Sequence, residues 1–252
     1  MTTSGATRTS SFVSRWFCRA LRGARESAAG VAALFYPPQC ARCGGPAAWG
    51  EVLCAACAEG LPRREGRSCR SCGDLLDDEW VDLCLRCGTH VRGFDRAVSL
   101  GPYDGGWRDL VALFKFDREK AVGRWLGRRL AEAAAQSFGR VTCVTHVPMT
   151  RGERRARGGN PSRELARFVA RRLRVPEREL LVKTRPTRPQ RTLPARERAV
   201  NLRDAFRGVR SGTGTVLLVD DLLTTGATAD ECGRVLRRGG YDEVDVLTVA
   251  RA

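Results

Sequence analysis

Eight of the eleven cysteines in this chain fall into four Cys-x2-Cys pairs: Cys40/Cys43, Cys54/Cys57, Cys69/Cys72 and Cys84/Cys87. Nothing else in the sequence restricts the fold so tightly. Two intervening residues let both thiolates of one turn face a single ion, and a tetrahedral zinc takes two such turns. Glycine follows the second cysteine at Gly44, Gly73 and Gly88. That suits a knuckle whose backbone takes positive φ. Cys-x2-Cys-Gly opens at 40 and again at 69, each followed by a second pair. The expected zinc ligand sets are therefore sequential, Cys40/Cys43/Cys54/Cys57 and Cys69/Cys72/Cys84/Cys87, with interleaved pairing as the alternative. An odd cysteine count and the lack of a secretion signal argue against disulfides. A thioredoxin-like redox centre calls for one such pair beside a βαβ unit, not four in a polar stretch.

So short a segment buries little apolar surface, and metal binding supplies its folding free energy. A structural role is the first reading of the ribbons. A contact role for Arg42, Arg63, Arg64, Arg67, Arg70 and Arg86 is the second. Cys18, Cys143 and Cys232 read as a tail residue and two small core hydrophobes, and His90 as a surface residue.

The 252 residues are 42% hydrophobic, enough for a true core. No run of 18 apolar residues appears, so no helical membrane span is expected and the chain reads as cytoplasmic. Residues 1–30 carry Arg8, Arg15, Arg19, Arg22 and Arg25 against Glu26, and read as a disordered basic extension. Lys115, Lys120 and Lys183 are the only lysines among 44 basic residues, so 41 are arginine. Residues 151–200 hold 16 bases against 5 acids, a local +11. Such a field attracts polyanions, whether nucleic acid or a phosphorylated metabolite.

After Arg92 the cysteine turns give way to α/β periodicities. Strands are expected at 95–100, 141–147, 216–219 and 244–249, and helices at 106–116, 121–137, 162–174 and 229–238. The unbroken apolar run Val216-Leu-Leu-Val219 suits a central parallel strand covered on both faces. Asp220 and Asp221 are expected to end it. Strand–helix–strand order implies a right-handed crossover. The fold expected is α/β, a parallel sheet flanked by helices and preceded by a small cysteine-rich zinc-ribbon domain. The divisions are 1–30 extension, 31–91 double zinc ribbon and 92–252 α/β domain.

In such sheets ligands sit at the carboxyl ends of strands. Here that end presents two carboxylates, then Leu222-Leu-Thr-Thr-Gly-Ala-Thr228, then a helix N-terminus. Backbone amides, threonine hydroxyls and the helix dipole form a phosphate cradle. Carboxylates repel phosphate but accept hydrogen bonds from vicinal hydroxyls, so a ribose phosphate is the natural ligand. A Walker B strand belongs with G-x-x-x-x-G-K-[ST], and the chain contains no Gly-Lys dipeptide.

Residues 216–228 resemble the phosphoribosyl pyrophosphate (PRPP) motif of type I phosphoribosyltransferases. The whole chain is similar to the ComF family, which joins a cysteine-rich zinc module to that domain. The matching features run from Leu34-Phe-Tyr-Pro-Pro-Gln-Cys40 through Tyr103, Lys115-Phe116, Val147-Pro148, Arg157-Gly158, Asn160, Gln190, Arg198, Asn201 and Phe206. One departure is Arg157-Gly-Gly-Asn-Pro161 where the family usually has Arg-Gly-Phe-Asn-Gln.

The resemblance implies that Asp220 and Asp221 hold the ribose hydroxyls. Thr224, Thr225, Gly226, Ala227 and Thr228 would bind the 5′-phosphate, and Arg157 would face the pyrophosphate, with Mg²⁺ accompanying it. Phosphoribosyl transfer to an unidentified acceptor is the implied reaction. Arg185, Arg188, Arg191, Arg196 and Arg198 form either a lid or a solvated basic loop. ComF relatives are implicated in DNA uptake, so the alternative is a non-catalytic factor handling single-stranded DNA beside competence-machinery proteins. Phe168 is the only aromatic residue in 151–200, which disfavours a stacking groove there.

Overall fold

The structure is a computed structural model that describes residues 38–78, 80–117, 119–187, 202 and 204–252. The basic extension, Cys18 and residues 188–201, with Arg188, Gln190, Arg191, Arg196, Arg198 and Asn201, lie outside the described residues. The chain divides into two compact units, Met1–Ala55 and Ala56–Ala252.

In the first unit, Cys40 opens a knuckle in which its amide donates to the Gly45 carbonyl (2.7 Å) and the Gly44 amide returns to the Cys40 carbonyl (2.9 Å). Among its described residues, Cys40, Val52 and Leu53 are the buried apolar ones. The second unit begins with the same device: the Cys69 amide donates to Asp74 (2.6 Å) and the Gly73 amide to Cys69 (2.8 Å). Gly44 (φ 72°) and Gly73 (φ 66°) take the positive φ expected of them. Gly88 does not. It lies within a helical turn, Leu85–Thr89, because the second pair of the ribbon closes on a helix rather than a knuckle.

Short helices follow the first cysteine of each second pair, α1 (Ala55–Glu59) and α2 (Leu85–Thr89). Then come β1 (Arg96–Pro102), α3 (Gly105–Ala112), a π-helical turn over Leu113–Asp117, α4 (Lys120–Ser137) and β2 (Cys143–His146). The chain continues through α5 (Arg151–Arg157), α6 (Pro161–Leu173), β3 (Leu181–Lys183), β4 (Phe206–Gly208), β5 (Thr215–Leu223), α7 (Ala227–Arg238) and β6 (Glu243–Arg251). The main sheet has the order β1-β6-β5-β2, and every pair is parallel. β3 and β4 form a separate antiparallel pair.

α4 and α6 pack together, α4 against β1 and β6 and α6 against β5 and β2, while α7 and the β3–β4 pair meet elsewhere on the sheet. Val216 to Val219 are fully buried, as a strand covered on both faces requires. The expected end of this strand needs correction: β5 pairs with β6 through Leu223, so the two aspartates lie inside its last turn of pleat. The ladder continues because β6 itself runs nine residues to Arg251.

α5 was not expected. None of its residues is buried, so it has no apolar period, and it is held by a capping box. Glu153 accepts from the Thr150 amide (2.8 Å) and Thr150 Oγ1 from the Glu153 amide (3.2 Å). Gly158 ends it in the left-handed region. Pro161 occupies the first turn of α6, where its missing N–H costs nothing. The departure at 159–161 is thus a well-formed helix start. Cys143 and Cys232 are buried, as expected.

The second ribbon is built into the main core. Cys69 and Cys72 are 2% and 1% exposed and cluster with Phe94, Ala97, Val216 and Leu218. The Ala97 amide donates to the Ser71 carbonyl (2.7 Å). A Cβ at Gly73 would sit 2.9 Å from the Ala97 carbonyl oxygen.

Candidate functional site

The carboxyl end of β5 carries the sequence-predicted site in one continuous stretch. Asp220 and Asp221 are followed by Leu222 and Leu223, then by the bend Thr224–Gly226, then by α7. Gly226 caps α7 at φ 79°, a conformation that any side chain would strain. Thr225 Oγ1 accepts weakly from the Ala227 amide (3.4 Å). Ala227 and Thr228 form the first turn of α7, a 12-residue helix that aims its dipole at the bend.

The two carboxylates have different partners. Ser162 Oγ, from the first turn of α6, donates to Asp220 Oδ1 (2.7 Å), as does the Asp221 amide (2.9 Å). Lys115 Nζ lies 2.9 Å from Asp221 Oδ1, with both side chains largely buried. Burial first, and then the neighbouring Asp221 charge, push Asp220 up to about 7 against the pull of Ser162 and Lys115. Asp220 is thereby poised between proton donor and acceptor near neutrality.

Ser162 and Lys115 were not singled out as site residues in the sequence. Ser162 left no signal, because a serine in the first turn of a helix is ordinary. Lys115 left one: in a chain that uses arginine at 41 of 44 basic positions, a lysine marks a compact charge. Lys183 shows the same, placing Nζ 2.5 Å from Glu153 Oε1. Burial opposes the Glu153 carboxylate, but Lys183 and the Thr150 amide hold it below the ordinary carboxylate range.

The loop after β2 leads into α5, and Arg157 stands exposed on its last turn. Asn160 Nδ2 donates to the Val147 carbonyl (3.0 Å), tying the start of α6 to that loop. His146, closing β2, is 3% exposed and faces Glu177 (3.3 Å). Burial, with Arg163 and Arg167 nearby, pushes it down to about 4, so it is neutral at physiological pH. His90 is exposed, with Nε2 3.4 Å from Asp230.

The cysteines gather as the sequential grouping requires. In each set, Cys40/Cys43/Cys54/Cys57 and Cys69/Cys72/Cys84/Cys87, the sulfurs all lie within 4.8 Å of one another. Burial alone would raise the Cys40 thiol, but the amides of Cys43, Cys54 and Arg42 outweigh it and bring it to about 6. Cys69 is likewise brought to about 7 by the amides of Cys72, Cys84 and Ser71. Four clustered soft donors with amides aimed at sulfur fit a structural zinc in each set. The two clusters coincide with the sequential ligand sets expected from the spacing.

Residues 31–88 match the double zinc ribbon domain family. The chain is 30% identical to competence protein F of Haemophilus influenzae over 79% of its length and 90% of that protein. It is 31% identical to DNA utilization protein YhgH of Salmonella typhimurium and 29% identical to that of Escherichia coli, in both cases over 86% of this chain and 99% of the relative. Among solved structures it overlays in part on adenine phosphoribosyltransferase from Leishmania tarentolae (TM-score 0.32, 17% identity, 52% of this chain and 58% of that one). Orotate phosphoribosyltransferase from Aeropyrum pernix gives a TM-score of 0.33 at 22% identity over 57% of this chain and 76% of that one. No helix among the described residues is long and apolar enough to cross a membrane. With a double zinc ribbon, a parallel α/β sheet and full-length relatives at this level of identity, the chain belongs to the ComF family.

Proposed function

We propose that residues 92–252 bind PRPP at the carboxyl end of β5 and transfer its phosphoribosyl group to an acceptor with release of pyrophosphate. Residues 31–91 would be the zinc module that supports this domain, in the cytoplasm. The single observation that carries the reading is the contiguity of Asp220, Asp221 and the glycine-capped bend Thr224–Thr228 at one strand end. A diol acceptor and an anion cradle so placed suit a ribose 5-phosphate.

Each residue has a role in this reading. Ser162 and the Asp221 amide both donate to Asp220 Oδ1, so a ribose hydroxyl would be received by Oδ2. Asp221 is held by Lys115 until a sugar hydroxyl competes for it. Arg157, exposed on α5, is the cation available to the leaving pyrophosphate. Positive charge develops on the ribose ring as the anomeric bond breaks, and the paired carboxylates would stabilise it. Mg²⁺ would neutralise pyrophosphate. Asp220 and Asp221 are suitable oxygen donors, but the ligand's own oxygens would supply most of its coordination.

The exposed arginines of α5, Arg151, Arg154, Arg155 and Arg157, favour a second reading, in which the same domain holds single-stranded DNA by its phosphates. Relatives named for competence and DNA utilization agree with that context.

Titration calorimetry with PRPP, with and without Mg²⁺, tests the first reading. Wild type should bind, and Asp220→Ala with Asp221→Ala should lose binding while keeping its fold. Equal affinity in the double variant sinks the site. A steep salt-dependent affinity for single-stranded DNA with no PRPP binding would favour the second reading instead.

A further inference from the structure

The backbone carbonyl of Thr225 is held from the second ribbon. Arg86 lies between Cys84 and Cys87, and its Nη1 donates to Thr225 O at 3.3 Å. Arg92, five residues past Cys87, donates Nη1 to the same oxygen at 3.3 Å. Its guanidinium stands 5.8 Å over the buried Phe94 ring, and its Nε and Nη2 are buried without a partner among the described residues. A Cβ on Gly226 would come within 3.4 Å of Arg92 Nη1 and 3.7 Å of Phe94. The next residue, Gly93, donates its amide to Asp230 in the first turn of α7 (2.5 Å). The chain leaving the second cysteine set is therefore strapped along the bend and the start of the helix.

Peptide geometry gives these bonds a consequence. No cis peptide occurs among the described residues, and in a trans peptide the C=O of one residue and the N–H of the next point in opposite directions. Fixing the Thr225 carbonyl on the arginine side fixes the Gly226 N–H on the other. Gly226 is also free of the steric cost that would otherwise oppose rotation of that peptide, so the bend needs an external restraint to keep its amide turned one way.

We propose that Arg86 and Arg92 are positioning residues that lock the Thr225–Gly226 peptide with its amide toward a phosphate ester, so that metal at Cys69/Cys72/Cys84/Cys87 and a sugar phosphate bind cooperatively. The coupling to a sugar phosphate rests on the function proposed above; the coupling of metal to loop order does not. Coupling between two sites is reciprocal, and one carried by two charge-assisted bonds falls in the range of about 5–150-fold. The metal fixes the short segment that carries Arg86, and the ligand, by ordering the bend, returns that order to the metal set.

The experiment uses the zinc-loaded full chain and its Arg86→Gln, Arg92→Gln and double variants, with PRPP and ribose 5-phosphate as probes. The double variant should keep two zinc ions and lose about tenfold in affinity for both probes, because they share the phosphate. Saturating PRPP should slow transfer of one of the two zincs to a chromogenic chelator about fivefold in wild type and not in the double variant. Hydrogen exchange of residues 224–228 should quicken in the double variant, and in wild type stripped of metal, with no ligand present. Unchanged exchange in both, or equal probe affinity and equal zinc protection in the variant, overturns the coupling. Failure of wild type to bind either probe would sink the proposed function, while the exchange measurement still decides whether the arginines hold the bend.

Discussion

Arg251, at the end of the last strand, is gripped along one edge of its guanidinium by Asp74 of the second cysteine ribbon: Nη2 to Oδ2 at 2.8 Å and Nε to Oδ1 at 3.2 Å. Its Nη2 also faces Cys72 Sγ at 3.6 Å. The Arg251 side chain is 2% exposed and that of Asp74 is 41% exposed. This bond joins residues 177 apart in sequence and sets the ribbon against the carboxyl end of the sheet. Arg251 first, by its hydrogen bonds, holds the Asp74 carboxyl below the ordinary carboxylate range.

The asymmetry in burial predicts an asymmetry in cost. Asp74→Ala strands a buried guanidinium and should destabilise by about 3 kcal/mol. Arg251→Met leaves a carboxylate that water can reach, and should cost about 1 kcal/mol. Urea denaturation of the two variants at pH 7 compares them. Arg251→Met proving as costly as Asp74→Ala would refute the assignment of the buried partner. The Asp74 contribution is present above its unfolded pKa near 3.8 and is lost as pH falls through the lower folded value.

The two cysteine sets should differ in what their loss destroys. Cys72 is 1% exposed within the core that also holds Phe94, Ala97 and Val216, whereas Cys54 is half-buried and follows Val52 and Leu53, buried residues that are not members of that core. Cys72→Ser should release one zinc and lower the stability of the sheet domain by at least about 3 kcal/mol. Cys54→Ser should release one zinc and leave residues 95–252 resistant to limited proteolysis. Trp107 and Trp125, buried with ring centroids 6.3 Å apart, report the sheet domain by fluorescence. Equal loss of their signal in both variants would show that the sets are not distinct in this way.

What was legible in the sequence had a local signature. Cys-x2-Cys spacing, the apolar run of β5 and the Asp-Asp-Leu-Leu-Thr-Thr-Gly bend each fix their own geometry within a dozen residues. α5 lacks an apolar face and escaped a reading based on periodicity, although Thr150-x-x-Glu153 carries the capping pattern. The apolar spacing over 106–116 predicts a single α-helix, because a π-helical turn such as Leu113–Asp117 leaves the same spacing, yet this turn carries the Lys115 that meets Asp221. Arg86 and Arg92 reach Thr225 across 139 and 133 residues, and no local pattern encodes such a meeting. The candidate site's carboxylates were readable and their supports were not, because the supports come from other elements.

The raised carboxyls give a pH dependence with a definite sign. Asp220 stands at about 7 by burial and the Asp221 charge, and Asp245 at about 7 by burial and Glu243, both from 3.8. Between those values the folded chain holds more protons than the unfolded one, so stability falls as pH rises toward and through 7. His146, lowered from 6.5 to about 4, acts in the opposite sense below 6.5 and is neutral in both states above it. Urea denaturation between pH 6.5 and 8 leaves out His146, and because the lowered Cys40 and Cys69 thiols contribute an opposite slope common to wild type and variants, the difference between each variant and wild type isolates the acids. Asp220→Asn and Asp245→Asn should each flatten that decline and gain about 1–2 kcal/mol at pH 8. Only Asp220→Asn should also weaken PRPP binding, and in wild type that binding should tighten as pH rises through 7 and the carboxylate forms. A stability slope identical to wild type in Asp220→Asn would show that this carboxyl does not carry its proton to neutrality.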